Sequence, residues 1–369
     1  MSVFAAAIVL SSPWMGEARG WLRRALPTEF SLVINVALAV VAAAAVGAAA
    51  WRLRRGRAWR YGALAAAGLL AVAVAASTAS PSASQNAVER VHFVEYGVMT
   101  VLFYRAWRAR GDLSIALLPI LAGLIVGTAD EWVQWFVPER IGEWRDIFIN
   151  LGAIVSGLLI SLACAPPPAF RAGLGPDSRR AVCRLGAAAV LALAAFFRTV
   201  HLGHVVRDPD IGAFESRYTA AQLLAASADR EGRWRTDPPP MTIHRFSRED
   251  QYLAEALWHV RARNDAWATD VTRAWRENLI LERYFAPVLA VRSYLAPDGV
   301  RWPDAQRADA DARAERDPAE EFTSRAAPAH FVLVWPPAAF WAVVAGLFIP
   351  LAAAGWRPTP ANRGAPSGT

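Results

Sequence analysis

The sequence has no lysine and only two cysteines, Cys164 and Cys183. Both cysteines fall near one short loop, so a disulfide framework is excluded and two reduced, structural thiols are expected. All 39 basic residues are therefore arginine. Together with the abundance of alanine, this reads as the habit of a GC-rich genome and not as a functional signal. No P-loop, HExxH metal helix or recognisable serine or cysteine nucleophile motif occurs. Charge is scarce too: 19% of residues are charged and 55% are hydrophobic, a balance that points to a membrane protein.

The net charge of +7 is unevenly placed. Residues 201–329 hold 18 arginines against 21 acidic residues, a net of −3, and the remainder carries +10. The excess of positive charge thus lies in the apolar part of the chain. That distribution fits membrane topology and excludes nucleic acid as the expected partner.

A membrane span needs about 20 mostly apolar residues. Candidate spans are 31–50, 61–77, 91–107, 113–136, 146–163, 182–200 and 331–354. The third is the most polar, with His92 and Glu95 inside it. Val3–Leu10 is apolar but short, and no basic stretch precedes it, so an interfacial or poorly ordered leader is expected there and not a signal peptide. The arginines of 51–60, Arg105, Arg108 and Arg110, Arg171, Arg179, Arg180 and Arg184, and Arg357 and Arg363 mark alternate connections. By the positive-inside rule these are cytoplasmic, which puts the N-terminus and residues 201–329 outside. The expected protein is an all-α integral membrane protein of the bacterial cytoplasmic membrane, with about seven transmembrane helices and a mostly helical extracytoplasmic domain between the last two. Its expected parts are 1–84 (leader and two spans), 85–163 (polar membrane core), 164–200 (loop and sixth span), 201–329 (outer domain) and 330–369 (last span and a Pro/Gly/Ser-rich tail).

In the outer domain, Ser247 and Asp250 predict a helix start. Leu253, Ala256, Leu257 and Val260 continue at helical spacing, and Trp267, Val271, Trp275 and Leu279 predict a second helix ending before Pro287. Val291–Trp302 reads as a hairpin around Ala296-Pro297-Asp298-Gly299, and 304–321 as a solvated helix or linker. Asp237-Pro238-Pro239-Pro240 reads as a stiff linker. The aromatic residues fit a small core or the membrane interface, with sugar or lipid contact as the competing reading. His201, His204, Asp208 and Asp210 are the residues a metal would need, but no second strong pair accompanies them, and neither a metal nor a cofactor is assigned.

Chemistry is concentrated in residues 89–157. Glu89, Arg90, His92 and Tyr96 open one span, Asp130, Glu131 and Gln134 close the next, Arg140 lies in the loop, and Asp146 and Asn150 open the third. Ionisable groups inside a span are costly and by default mark a site. The topology delivers all of these to one membrane face, so the candidate binding residues are Arg90, His92, Tyr96, Asp130, Glu131, Gln134, Arg140, Asp146 and Asn150. Plainer roles compete: Glu89, Glu139 and Arg145 as solvated loop charges, Asp146 as a helix-dipole partner, Asn150 and Gln134 as interhelical glue, and Gly123, Gly127, Gly152 and Ser156 as close-packing positions.

The order acid-basic-x-His-Phe-x-x-Tyr, then Asp-Glu-x-x-Gln-x-Phe-x-Pro-x-Arg, then Asp-x-x-x-Asn-x-x-Gly resembles the VanZ-like family over about residues 85–162. Arg90 stands where lysine is the commoner residue. The resemblance implies a multi-pass envelope protein; the family takes its name from an accessory in resistance to glycopeptides such as teicoplanin, and its biochemical activity is not settled. Three functions follow as alternatives. One is binding of a membrane lipid or lipid-linked envelope component, with arginines on phosphate or carboxylate. The second is a metal-dependent hydrolase or transferase using Asp130, Glu131 and Asp146, with His92 as acid or base. The third is a scaffold whose outer domain recruits a protein partner.

The topology has a direct test. In a background lacking Cys164 and Cys183, Glu139→Cys and Thr236→Cys should react with an impermeant maleimide added to intact cells, and Arg55→Cys should not. Labelling of Arg55→Cys alone would invert the protein.

Overall fold

A computed structural model describes residues 2–53, 58–79, 83–136, 142–234, 249–293, 296–316, 321–324, 326 and 334–357. The chain divides into two compact units. The first comprises Met1–Glu131, Trp144–Ala195 and Ala338–Thr369, and the second Trp132–Glu143 and Phe196–Pro337.

The chain runs α1 (Ser2–Ala25), α2 (Phe30–Arg52), α3 (Ala58–Ser77), α4 (Ala83–Trp107), a 3₁₀ turn at Arg108–Arg110, α5 (Ser114–Trp135), α6 (Trp144–Cys164) and α7 (Pro176–Val200). Then come strands β1 (His204–Asp208) and β2 (Gly212–Ser216), and helices α8 (Ala220–Arg233), α9 (Glu249–Ala266), α10 (Val271–Tyr284), α11 (Ala286–Ala290), α12 (Asp304–Arg313) and α13 (Pro337–Trp356). Among the described residues, six helices are long and apolar enough to cross a membrane: α2, α3, α5, α6, α7 and α13. The expected seventh, over 91–107, is a helix of sufficient length inside α4. His92, Glu95 and Arg105 make it more polar than those six. The leader forms a continuous helix, α1, and Ile8 packs with Tyr96, Met99 and Phe103.

In the first unit α6 is the central helix, and its small residues set how closely its neighbours approach. A methyl group added to Gly157 would lie 2.7 Å from the carbonyl oxygen and 2.9 Å from the Cα of Gly97 in α4. One added to Gly152 would meet Val74 of α3 at 2.8 Å, and one on Gly123 of α5 would meet Ile154 at 2.8 Å. Ser156 donates to the carbonyl of Ala67 at 3.3 Å. These are the small-residue seams by which helices associate where no hydrophobic drive separates helix from solvent.

The C-terminal end of α6 is capped by side chains from its neighbours. Arg60 Nε donates to the carbonyl of Ala163 at 2.5 Å, and Tyr104 to that of Ala165 at 2.7 Å. Arg108 donates twice to Pro166, at 3.0 and 2.8 Å. Cations and donors here satisfy orphan carbonyls and the negative end of the helix dipole. Beside this end, Asp112 accepts from the backbone and hydroxyl of Ser114 at 3.0 and 2.5 Å and from the backbone of Gly175 at 3.1 Å. Burial alone would raise its carboxyl, but these hydrogen bonds, with Ser178, bring it down to about 2.

The second unit adds a two-stranded antiparallel sheet to the expected helices, with Val206 opposite Phe214 and Asp208 opposite Gly212. The turn holds Gly212 at φ 118°, a conformation that glycine adopts without strain. Val206, Phe214, Leu223, Trp234, Tyr252, Ile280 and Phe285 form its main core, and Ala266, Ala274 and Trp302 a smaller one with Trp267 and Trp275. The aromatics of this region are thus mostly core residues. Helix α8 starts with a capping box between Thr219 and Gln222, and Asp270 caps α10 by accepting from the amide of Arg273 at 2.9 Å. Pro287 sits just past the end of α10, as expected. The expected hairpin over 291–302 is reduced, among the described residues, to one bridge between Ser293 and Ala296. Ser247 and the 237–240 linker lie outside the described residues.

Asp208 and Asp210 are not set up for a metal. Arg283 Nη1 donates to both oxygens of Asp208 at 2.5 and 2.6 Å, and its Nη2 to Asp210 at 2.9 Å. Tyr284 also donates to Asp208, at 2.9 Å. His201 is buried against Phe196 and Phe197.

Two outcomes follow. Gly157→Ala should lower the thermal stability of the detergent-solubilised protein by about 1–3 kcal/mol, because the clash is with backbone; Gly68→Ala, which meets nothing within 4 Å, should be neutral. Burial would raise Asp208, but hydrogen bonds from Arg283, the Asp210 backbone and Tyr284 hold it below its ordinary value. A lowered carboxyl stabilises above its unfolded pKa of about 3.9 and loses that contribution as pH falls below it. Arg283→Met should therefore cost about 1–2 kcal/mol at pH 7, discounted for the 41% exposure of the Arg283 side chain. The penalty should shrink at pH 3, measured by hydrogen exchange of the β1 and β2 amides.

Candidate functional site

At the opposite end of α6 from its arginine cap, three helices bring polar side chains together. Tyr96 of α4 is fully buried and donates to Asp130 Oδ2 of α5 at 3.1 Å. Gly127, one turn before Asp130, lies against both Tyr96 and Asn150: a methyl group there would stand 3.4 Å from Tyr96 Cε1 and 3.4 Å from Asn150 Cβ. The absence of a side chain at Gly127 therefore lets α4, α5 and α6 meet at one point.

Asn150 is 1% exposed, and neither its carbonyl oxygen nor its amide nitrogen has a hydrogen-bond partner among the described residues. An unsatisfied buried amide costs on the order of 1–3 kcal/mol. The interhelical-glue role requires a partner across the seam, and Asn150 has none among the described residues. Asp130 and Glu131 are also buried, at 3% and 0% exposure. His92 stacks on Tyr96 with ring centroids 6.1 Å apart, one turn towards the start of α4. Its Nδ1 lies 3.9 Å from Glu95 Oε2. Gln134 is buried one turn beyond Asp130 on α5.

Not every sequence candidate joins this cluster. Arg90 is exposed and donates to Asn35 of α2 at 2.8 Å. Asp146 lies 3.7 Å from Arg145. Arg140 lies outside the described residues. Tyr96, Asp130, Asn150 and His92 thus form the joined group.

Three residues outside the sequence candidates, Glu89, Glu95 and Arg145, belong to the same end of the unit. Arg145 is not a solvated loop charge: it makes a two-pronged contact with Glu89, at 2.9 and 3.1 Å, and also donates to the carbonyl of Thr78. This ties the ends of α3, α4 and α6 together. Nothing in the separation of Glu89 from Arg145 announces the pair; only the helix packing makes them neighbours. Glu95 was legible as a charge inside a span, and its place three residues after His92 was the signal for a contact.

A donor set for a metal is not gathered here. Among the described residues, no three His, Cys, Asp or Glu side chains come together in a way that could hold an ion. The chemistry on offer is hydrogen bonding: two carboxylates, a phenol, an imidazole and an amide that both donates and accepts.

Comparison with known proteins agrees with the motif order. Residues 70–165 match the VanZ/LLP1 family model. No curated protein matches the chain, nor does any solved structure. The match runs from the second half of α3 to the end of α6 and takes in every member of the buried cluster. Residues 70–165 thus form a VanZ-like region in a chain that has, among its described residues, six helices of membrane-spanning length and composition.

Proposed function

We propose that the Tyr96–Asp130–Asn150 cluster recognises the polar head of a lipid-linked or amphiphilic envelope ligand at the outer face of the bacterial cytoplasmic membrane. One observation carries this reading: the buried Asn150 amide, unsatisfied on both sides, beside a tyrosine–aspartate pair at a three-helix junction. A ligand hydroxyl or amide would satisfy that group. Asp130 and Glu131 repel phosphate but accept from hydroxyls and amines, which favours the saccharide or peptide part of a lipid-linked precursor. Any phosphate would fall to arginines. Arg145 is held by the carboxylate of Glu89 and by Thr78, whereas Arg90 is held by the neutral Asn35, so we assign that role to Arg90, once turned from Asn35, and to Arg140. The acidic end sits opposite the arginine-capped end of α6, which supports an outward orientation by the positive-inside rule. A contribution to glycopeptide resistance belongs to the same proposal, because such an antibiotic is itself an amphiphile rich in hydroxyls and amides.

The test is native mass spectrometry of the full chain purified in nanodiscs. The wild-type protein should carry a lipid-linked saccharide adduct. Asn150→Leu and Tyr96→Phe should each lower its occupancy by about fivefold, the worth of roughly one hydrogen bond, while keeping the melting temperature. Unchanged occupancy in both variants would reject the site. Loss of folding in both, with Asn150→Asp also unfolded, would assign the cluster to helix packing alone.

A further inference from the structure

The second unit contains a cleft that the membrane cluster does not explain. It lies between the end of α8, α11 and the segment before α12, encloses about 310 Å³, and is lined by Arg230, Glu231, Trp234, Pro287, Val291 and Arg301. That is the lower end of the range for small-molecule sites.

Its walls combine three features. The guanidinium of Arg230 is held in place: it lies over the Tyr252 ring at 4.4 Å and near the Trp234 ring at 5.7 Å, and its Nη1 donates to the carbonyl of Ala226 at 3.1 Å. Arg301 stands at the rim, where its Nε donates to the carbonyl of Leu289 at 3.3 Å. Trp234 is 1% exposed, and its indole N–H has no acceptor among the described residues. A buried donor left without an acceptor is uncommon in a folded unit and calls for an explanation. Pro287, Val291 and the Trp234 ring supply apolar surface. The charged side chains lining the cleft are two guanidiniums, Arg230 and Arg301, and one carboxylate, Glu231.

We propose that this cleft binds a small monocarboxylate carried on a flat or short apolar group. The carboxylate would meet the guanidinium fork of Arg301 and the fixed charge of Arg230, with the apolar part against Trp234 and Pro287. A planar carboxylate matches an arginine fork with two parallel hydrogen bonds. An acceptor oxygen reaching the back wall would satisfy the indole N–H. A neutral ligand of the same shape forfeits the charge, and a dianion meets Glu231.

Phenylacetate and its neutral isostere phenylacetamide are the probes. Binding is measured by equilibrium dialysis against the full chain in nanodiscs, with empty nanodiscs as the blank for partitioning. Phenylacetate should bind saturably at one site per chain, and phenylacetamide about fivefold more weakly or less. Arg301→Gln changes only an exposed side chain and should weaken phenylacetate by about fivefold. Trp234→Phe keeps the ring, removes the N–H and should weaken it to a similar degree. The proposal is overturned by equal binding of the acid and the amide, by affinity unchanged in both variants, or by no saturable uptake over empty nanodiscs up to roughly 10 mM.

Discussion

Close approach of helices at glycine organises the first unit. In a lipid solvent, apolar side chains gain little by meeting one another, so association rests on van der Waals contact and on the few polar groups that reach a partner. Gly157 against Gly97, Gly152 against Val74 and Gly123 against Ile154 bring α4, α3 and α5 onto α6 at distances that no larger residue permits. The rest follows from that approach. Arg60 and Arg108 reach the last carbonyls of α6 only because α3 and α4 are near. Tyr96 reaches Asp130 because nothing at Gly127 holds the helices apart.

The second unit is built on different physics. Its main core is an ordinary apolar cluster of aromatic and aliphatic residues, yet a row of polar side chains runs through it. Gln251, Glu255, His259 and Arg263 recur every four residues along one face of α9, and all are buried. His259 pairs with Glu277 at 2.7 Å, and Glu277 also accepts from Ser324 at 2.5 Å. Arg263 donates to Asn278 at 2.9 Å and to the carbonyl of Val300 at 2.7 Å. Burial pushes Glu255 up, against the opposing pull of Arg217. Such pairs add little net stability over apolar replacements, but they penalise any packing in which a partner is missing.

Much of the helical architecture was legible because it depends on local pattern. Long apolar runs mark spans, and proline marks the end of α10, whereas the threonine–glutamine box that starts α8 was not picked out. The β1–β2 hairpin was missed because His201, His204, Asp208 and Asp210 drew attention as metal ligands, while the alternation through Val206 is only five residues long. The direction of Asp208 towards Arg283 depends on a residue 75 positions away. In the membrane cluster, residue type and helical face picked out Tyr96, Asp130 and Asn150. The outward turn of Arg90 to Asn35, and the pairing of Glu89 with Arg145, were decided by tertiary packing that no spacing records.

The polar unit is fastened by its own two ends. Ala213, in β2 near its start, donates to Phe322 at 2.9 Å and accepts from the backbone of Ser324 at 2.8 Å, while the Ser324 hydroxyl closes on Glu277. During synthesis these partners emerge far apart in time. The hairpin, α9 and α10 are exposed before the segment that satisfies Glu277 exists, so a buried carboxylate and a sheet edge stand open for that whole interval. Closing this unit therefore waits on residues 322–324, and Ser324 follows its partner Glu277 by 47 positions.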